Sequence, residues 1–120
     1  MTPEGKVKAR VKEILEQYHV WYFFPRGTVR GRAGIPDIIA CLNGQFIAIE
    51  CKAGHNHITP LQRREIVDIR MHGGSALVVN EYNYDDLETL LQETRCTKQA
   101  KTLSCLTSSK NWSPESQTQR

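Results

Sequence analysis

The segment that most limits how this chain can fold is PDIIACLNGQFIAIECK, residues 36–52. Its centre, Asn43-Gly44, separates two apolar runs rich in isoleucine. An Asn-Gly pair between such runs is the strongest short-range signal for a two-residue β-hairpin turn, because both turn residues need positive φ. In that hairpin Leu42 faces Gln45, and this pair fixes the register of all the others.

The register brings charge into an otherwise apolar hairpin. Counting outward from the turn, Asp37 faces Glu50, and Lys52 shares their side of the sheet because side chains alternate. Facing Cβ atoms are about 4.5–5.5 Å apart, and like charges at that separation destabilise a sheet. A divalent cation would compensate both carboxylates, and Mg²⁺ prefers oxygen ligands. A salt-bridged cluster at a strand edge is the alternative.

Helix and strand signals alternate along the rest of the chain. The first helix is expected to start at Pro3 with Thr2 as its N-cap, and a later one at Pro60 with Thr59 as its N-cap. Strands are expected at 20–24, on both sides of the turn, and at 75–79, and a last helix follows Asn83. The predicted fold class is α/β, a small mixed β-sheet flanked by helices in the order αβββαβα.

Composition places the folded part in one domain. The chain has 120 residues, and we expect a single domain over residues 1–93. The remaining residues, 94–120, are rich in Ser, Thr, Gln and Lys, so we expect a disordered basic tail. No apolar run reaches the roughly 18 residues of a membrane span, and no signal-peptide core is evident at the N-terminus. A cytoplasmic protein is therefore expected.

An Arg- and Gly-rich loop precedes the hairpin. The segment PRGTVRGRAGIP carries Arg26, Arg30 and Arg32 among glycines. The planar arginine fork suits phosphate, and glycines let backbone approach a ligand closely. We predict a clamp for the phosphate backbone of DNA, with an ordinary solvated loop as the alternative. His57, in the loop after the hairpin, is a weaker candidate for contact with DNA.

These motifs resemble a known enzyme group. Pro36-Asp37 and Glu50-Cys51-Lys52 look like the signature of the PD-(D/E)XK nuclease superfamily, whose core is restriction-endonuclease-like. The Arg/Gly loop, the Thr59-Pro60-Leu61-Gln62 helix start and Gly73-Gly74 make the chain more similar to its stand-alone VRR-NUC group. The resemblance covers roughly residues 2–92, which implies a VRR-NUC-like nuclease domain.

The resemblance also implies roles for individual residues. Asp37 and Glu50 match metal-binding carboxylates, and Lys52 matches the residue that orients or activates water. The Cys51 backbone carbonyl matches a further metal ligand. Two more matches are Gln62, a helix residue near the catalytic centre, and Glu4, a carboxylate that approaches the metal from the first helix. Glu4 could instead only complement the helix dipole, and Gln62 could be an ordinary exposed helix residue.

The implied activity is Mg²⁺- or Mn²⁺-dependent cleavage of DNA. The resemblance to stand-alone members also implies a homodimer that cuts branched DNA such as Holliday junctions. Small proteins of this group are often encoded by viruses, including phages. Two alternatives stay open: a nicking or flap-type nuclease that works with other replication or repair proteins, and a DNA-binding module without catalysis. The intact Asp37, Glu50 and Lys52 speak against the second.

Overall fold

The architecture is a four-stranded sheet with helices on both faces. A computed structural model of the chain describes residues 1–26 and 31–105, with side chains of the last helix described to residue 97. In chain order the elements are α1 (Pro3–Gln17), β1 (Trp21–Phe23), β2 (Ile38–Leu42), β3 (Gln45–Cys51), α2 (Pro60–Met71), β4 (Ser75–Val79) and α3 (Tyr84–Cys105). The α/β class and the order αβββαβα are confirmed, and the arrangement is restriction-endonuclease-like.

The sheet is mixed, and its hairpin has the predicted register. The strands lie in the order β1-β2-β3-β4, with antiparallel pairing except between β3 and β4, which run parallel. At the turn, Asn43 and Gly44 have φ values of 56° and 81°, as a two-residue hairpin of this kind requires. Leu42 pairs with Gln45, so the register predicted from the turn is confirmed.

Both predicted N-caps are present. The Thr2 side chain accepts a hydrogen bond from the Gly5 amide at 3.0 Å. Thr59 and Gln62 form a reciprocal capping box, in which the Thr59 side chain accepts from the Gln62 amide and the Gln62 side chain accepts from the Thr59 amide. Each cap satisfies amides that have no partner inside the helix.

Helix α3 is longer than the sequence reading indicated. The sequence predicts a last helix after Asn83 within a domain that ends at residue 93, but α3 continues to Cys105. Residues 92–105 contain neither glycine nor proline, so nothing in them stops a helix. The domain boundary itself stays a prediction, and residues 106–120 of the expected tail lie outside the described residues.

Two apolar layers cover the sheet. Helices α1 and α3 pack on one face, where their buried side chains meet those of all three longer strands: Val7, Val11, Ile14, Leu15, Leu87 and Leu91 against Ile38, Ala40, Leu42, Ile47, Ile49, Cys51 and Val79. Helix α2 packs on the other face, through Ile66 against Ala48 and Ala76. Among residues 1–26 and 31–105, no helix combines the length and apolar content that crossing a membrane would need.

The loop before β2 is docked on the first turn of α2. Gly34 has a φ of +81°, and a Cβ built on it would lie 2.6 Å from the carbonyl carbon and oxygen of Leu61. Only a residue without a side chain can approach that backbone so closely. The glycine therefore sets how the segment leading to Asp37 lies against the helix that carries Gln62.

Replacing Gly34 with alanine should destabilise the fold more than the same change at Gly44. Both glycines have a φ of +81°, which penalises an L residue by about 1–2 kcal/mol. A Cβ at Gly44 meets nothing within 4 Å, whereas at Gly34 it meets backbone, and such overpacking adds about 1–3 kcal/mol. Urea unfolding of both variants measures the difference, and equal losses would contradict the docking described above.

Candidate active site

Three carboxylates meet at one end of the sheet. They come from different elements: Glu4 from the first turn of α1, Asp37 from the residue before β2, and Glu50 from β3. One oxygen from each lies within 4.8 Å of the others. The Cys51 amide donates to Asp37 Oδ2 at 2.9 Å, which holds Asp37 beside the strand that carries Glu50. The hairpin register thus brings together the two carboxylates that the sequence placed opposite each other.

Glu50 is the most constrained of the three. The residue is only 2 % exposed, and its Oε1 accepts from Gln62 Nε2 at 3.0 Å, while Lys52 Nζ lies 3.9 Å away. Its Oε2 is buried and has no hydrogen-bond partner within the described residues. Burial, and then the neighbouring Asp37 carboxylate, raise the pKa of Glu50 to about 8, although Lys52 acts in the opposite direction.

Gln62 is held in one orientation by its second bond. Its Oε1 accepts from the Thr59 amide at 2.8 Å, so its Nε2 must face Glu50. An amide group anchored at both ends cannot turn without losing a hydrogen bond. The helix cap therefore fixes a donor on the buried carboxylate, and Gln62 is not the solvated helix residue of the alternative reading.

Lys8 is a member of this cluster that the sequence reading missed. Its Nζ lies 3.4 Å from Asp37 Oδ1. Burial lowers the pKa of Lys8, but the Asp37 charge and hydrogen bond outweigh it and leave that pKa raised. The available signal was the spacing from Glu4, four residues earlier on α1, since residues i and i+4 share one helix face. Two lysines, Lys8 and Lys52, therefore flank the carboxylates.

The cluster suits a hard divalent cation. Carboxylate oxygens are the ligands that Mg²⁺ and similar ions prefer, and the partnerless Glu50 Oε2 is a buried acceptor that a cation would satisfy. Glu4, Asp37 and Glu50 are the side chains that can hold such an ion. Without it, the buried Glu50 is favoured in its protonated form.

Cys51 contributes through its backbone rather than its thiol. Its side chain is fully buried in the layer formed with α1 and α3, on the sheet face opposite Glu50. Burial raises the pKa of the Cys51 thiol to about 12, so the thiol stays protonated near neutral pH. That the carbonyl oxygen of Cys51 binds a metal ion stays a prediction.

The residues predicted to bind DNA are spread over two clefts. Arg26 and Arg32 line a cleft of about 520 Å³ that also contains Asp37. Arg32 donates from Nε to Glu65 Oε1 at 2.7 Å, whereas Arg30 lies outside the described residues. His57 is exposed and lines a larger cleft of about 620 Å³ between α2 and β4, whose lining does not include Glu4, Asp37 or Glu50.

A phage protein is similar to part of this chain. It is called "Putative nuclease p44", from Acyrthosiphon pisum secondary endosymbiont phage 1, and the two are 37% identical over 62 residues. The aligned stretch is 51% of this chain and 63% of the phage protein, so the chain spans less than two thirds of that relative. No protein-family model matches the chain. No solved structure matches it either.

In the absence of divalent cations, raising the pH from 5 to 8 should destabilise the protein through Glu50. Its pKa is about 8 in the fold and near 4.5 ordinarily, so the folded state holds the proton more tightly. The contribution of Glu50 to the free energy of unfolding is therefore fully present below pH 4.5. It falls as the pH rises from 4.5 to about 8, by up to about 1.4 kcal/mol per pH unit. Urea unfolding in EDTA at both pH values measures the loss.

Glu50→Gln is the matched control, because glutamine keeps the shape and carries no titrating proton. The variant should lack most of the wild-type loss, while titrating groups outside the carboxylate cluster contribute equally to both proteins. Mg²⁺ added at pH 8 should stabilise the wild type more than the variant. Parallel pH profiles for the two proteins would show that Glu50 ionises freely in the fold.

Proposed function

We propose that this protein is a metal-dependent DNA endonuclease that hydrolyses phosphodiester bonds. The observation that carries the proposal is the convergence of Glu4, Asp37 and Glu50 beside Lys52 at one end of the sheet. The similarity to a phage protein named as a nuclease supports the same reaction class. The order of motifs that resembles the VRR-NUC group is a further support.

The acidic cluster supplies the binding site for the cation. Mg²⁺, or Mn²⁺ in its place, would polarise a phosphoryl oxygen and make water a better nucleophile near neutral pH. Glu4, Asp37 and Glu50 provide carboxylate ligands, and the Cys51 carbonyl is proposed as a further one. Gln62 holds the Glu50 carboxylate by the hydrogen bond to Oε1, so that Oε2 is left for the ion.

Lys52 supplies positive charge where the reaction builds negative charge. Its ammonium is held near Glu50 Oε1 with the side chain only 15% exposed, in surroundings that strengthen electrostatic interactions. From there it orients the attacking water and stabilises the phosphate as the bond breaks. Arg26, Arg30 and Arg32 are the proposed contacts to the DNA backbone, with His57 as a further contact.

Cleavage of DNA should require a divalent cation, Asp37 and Lys52. With Mg²⁺ or Mn²⁺ the wild type should cut labelled oligonucleotides, and in EDTA it should not. Asp37→Asn removes a charged ligand and Lys52→Met removes a group that stabilises developing charge, so each should slow cutting by about 100-fold or more. Single-turnover rates on one substrate compare the variants.

One residue of α1 and one of α2 provide matched controls. Lys12→Met removes an exposed lysine of α1, and Asp68→Asn removes a carboxylate of α2, neither of which belongs to the cluster. Both should cut at nearly the wild-type rate. Cutting that persists in EDTA, or that survives both Asp37→Asn and Lys52→Met, would rule out this mechanism. DNA binding without any cutting would indicate the noncatalytic module instead.

Branched DNA is the proposed substrate, and a homodimer the proposed assembly. Both follow from the resemblance to stand-alone VRR-NUC proteins. The edge strand β1 exposes Trp21 and Phe23, 63 % and 45 % accessible, which gives a second copy an apolar surface to cover. A two-fold dimer would present two sites to paired strands of a four-way junction.

Rates on a four-way junction, a flap and a linear duplex of equal length test the substrate. The junction should be cut fastest, by symmetric paired nicks, and sedimentation should show a dimer at the concentration of the assay. Fastest cutting of the flap would favour the nicking or flap-type alternative. Equal rates on all three substrates would contradict the proposed preference for branched DNA. A monomer that makes paired nicks would contradict the proposed dimer.

A further inference from the structure

The ion pair between Arg32 and Glu65 joins the loop before β2 to helix α2. Arg32 Nε donates to Glu65 Oε1 at 2.7 Å. The side chains differ in exposure, since that of Glu65 is 11% accessible and that of Arg32 66%. The carboxylate is thus anchored inside the protein, while the guanidinium extends to the surface in the cleft that contains Asp37.

We propose that Glu65 is a positioning residue, which holds the Arg32 guanidinium in the orientation that binds a DNA phosphate beside the acidic cluster. The proposal rests on the proposed nuclease function. A guanidinium is planar, and its other N–H donors are on the terminal nitrogens, so a bond at Nε fixes the plane and keeps those donors for a phosphate. A long side chain fixed in advance loses less entropy when it binds.

Helix α2 contacts both Arg32 and the carboxylate cluster. Gln62 and Glu65 are three residues apart, so they lie on the same helix face about one turn apart. The first holds Glu50 and the second holds Arg32. The contact of Gly34 with the Leu61 backbone attaches the same loop to the same turn of the helix. One rigid element therefore sets the distance between the phosphate-binding group and the acidic cluster.

The same ion pair has an opposite interpretation, in which Glu65 neutralises Arg32 and keeps it from DNA. The two interpretations predict opposite signs. Removing a negative charge beside a DNA-binding surface strengthens attraction to the polyanion when nothing else changes. If Glu65 positions Arg32, removing the carboxylate must weaken DNA binding even though the protein becomes more positive.

Equilibrium binding of the full chain to a labelled duplex and a labelled four-way junction, with Ca²⁺ replacing Mg²⁺, measures this sign. Glu65→Ala and Arg32→Ala should each weaken binding about tenfold, near the contribution of one charge-assisted hydrogen bond. The double variant should bind no more weakly than Arg32→Ala. Each should reduce the slope of log affinity against log salt by about 1, as for one lost phosphate contact.

Conservative variants separate positioning from a general loss of structure. Glu65→Gln keeps an acceptor oxygen for Arg32 Nε and should recover part of the lost affinity, whereas Arg32→Lys keeps the charge without the fork and should not. Asp68→Asn removes a charge from the same helix and should bind as tightly as the wild type or slightly more tightly. With Mg²⁺, Glu65→Ala should raise KM and leave kcat within about twofold, because uniform binding is what it loses.

Tighter or unchanged binding by Glu65→Ala would overturn the proposal and favour the neutralising role. Losses that add fully in the double variant would also overturn it, because Glu65 would then not act through Arg32. If Glu65→Ala is unfolded at the assay temperature, Glu65→Gln replaces it: this variant should bind DNA less tightly than the wild type, by less than tenfold, and the difference should disappear in the Arg32→Ala background. A wild type that neither binds nor cuts DNA would instead refute the proposed nuclease function.

Discussion

Two carboxylates approach each other closely on the two strands of one hairpin, and the other side chains at this end of the molecule are arranged around that pair. Asp37 and Glu50 are brought together by a hairpin whose register cannot slip without moving its isoleucines to the wrong face. Their repulsion is met from three directions, by Lys8 on α1, Lys52 on β3 and the Gln62 amide on α2. Even so, one oxygen of Glu50 remains without a partner in the described residues.

An unmet buried acceptor in a well-packed fold is unusual, since most buried polar atoms have a partner. Its surroundings explain why it persists: the apolar layers fix β3, and the capping box fixes Gln62, so Glu50 cannot rotate toward solvent. A divalent cation bound by the cluster would satisfy this oxygen with little movement of the side chains around it.

Local signals predicted the parts of the fold that depend on local chemistry. The Asn43-Gly44 turn determined the hairpin register, and Thr2 and Thr59 marked two helix starts, because caps and turns act over three or four residues. The end of α3 was missed because the segment after Leu91 has polar composition without a helix-breaking residue, and composition alone had suggested disorder. Strand β1 is also shorter than the aromatic run that predicted it.

In the candidate site, too, local sequence signals predicted some residues and missed others. Asp37, Glu50 and Lys52 were predicted to converge because one hairpin carries all three. Glu65 was not singled out, since its partner lies far away in sequence and nothing in its immediate neighbours identifies it. Lys8 was missed although its spacing from Glu4 places both on one face of α1. Pairings such as Arg32 with Glu65, 33 residues apart, depend on how α2 packs across the sheet. Only the folded arrangement of the segments reveals them.

The double role of Gln62 links events in the acidic cluster to the stability of a helix. Its side chain closes the capping box of α2 with one atom and holds Glu50 with the other. When the Glu50 carboxylate is held more firmly, the first turn of α2 should fray less, because both hydrogen bonds are made by the one rigid amide group of Gln62. Any change that restrains the Glu50 side chain should therefore slow hydrogen–deuterium exchange in the first turn of α2.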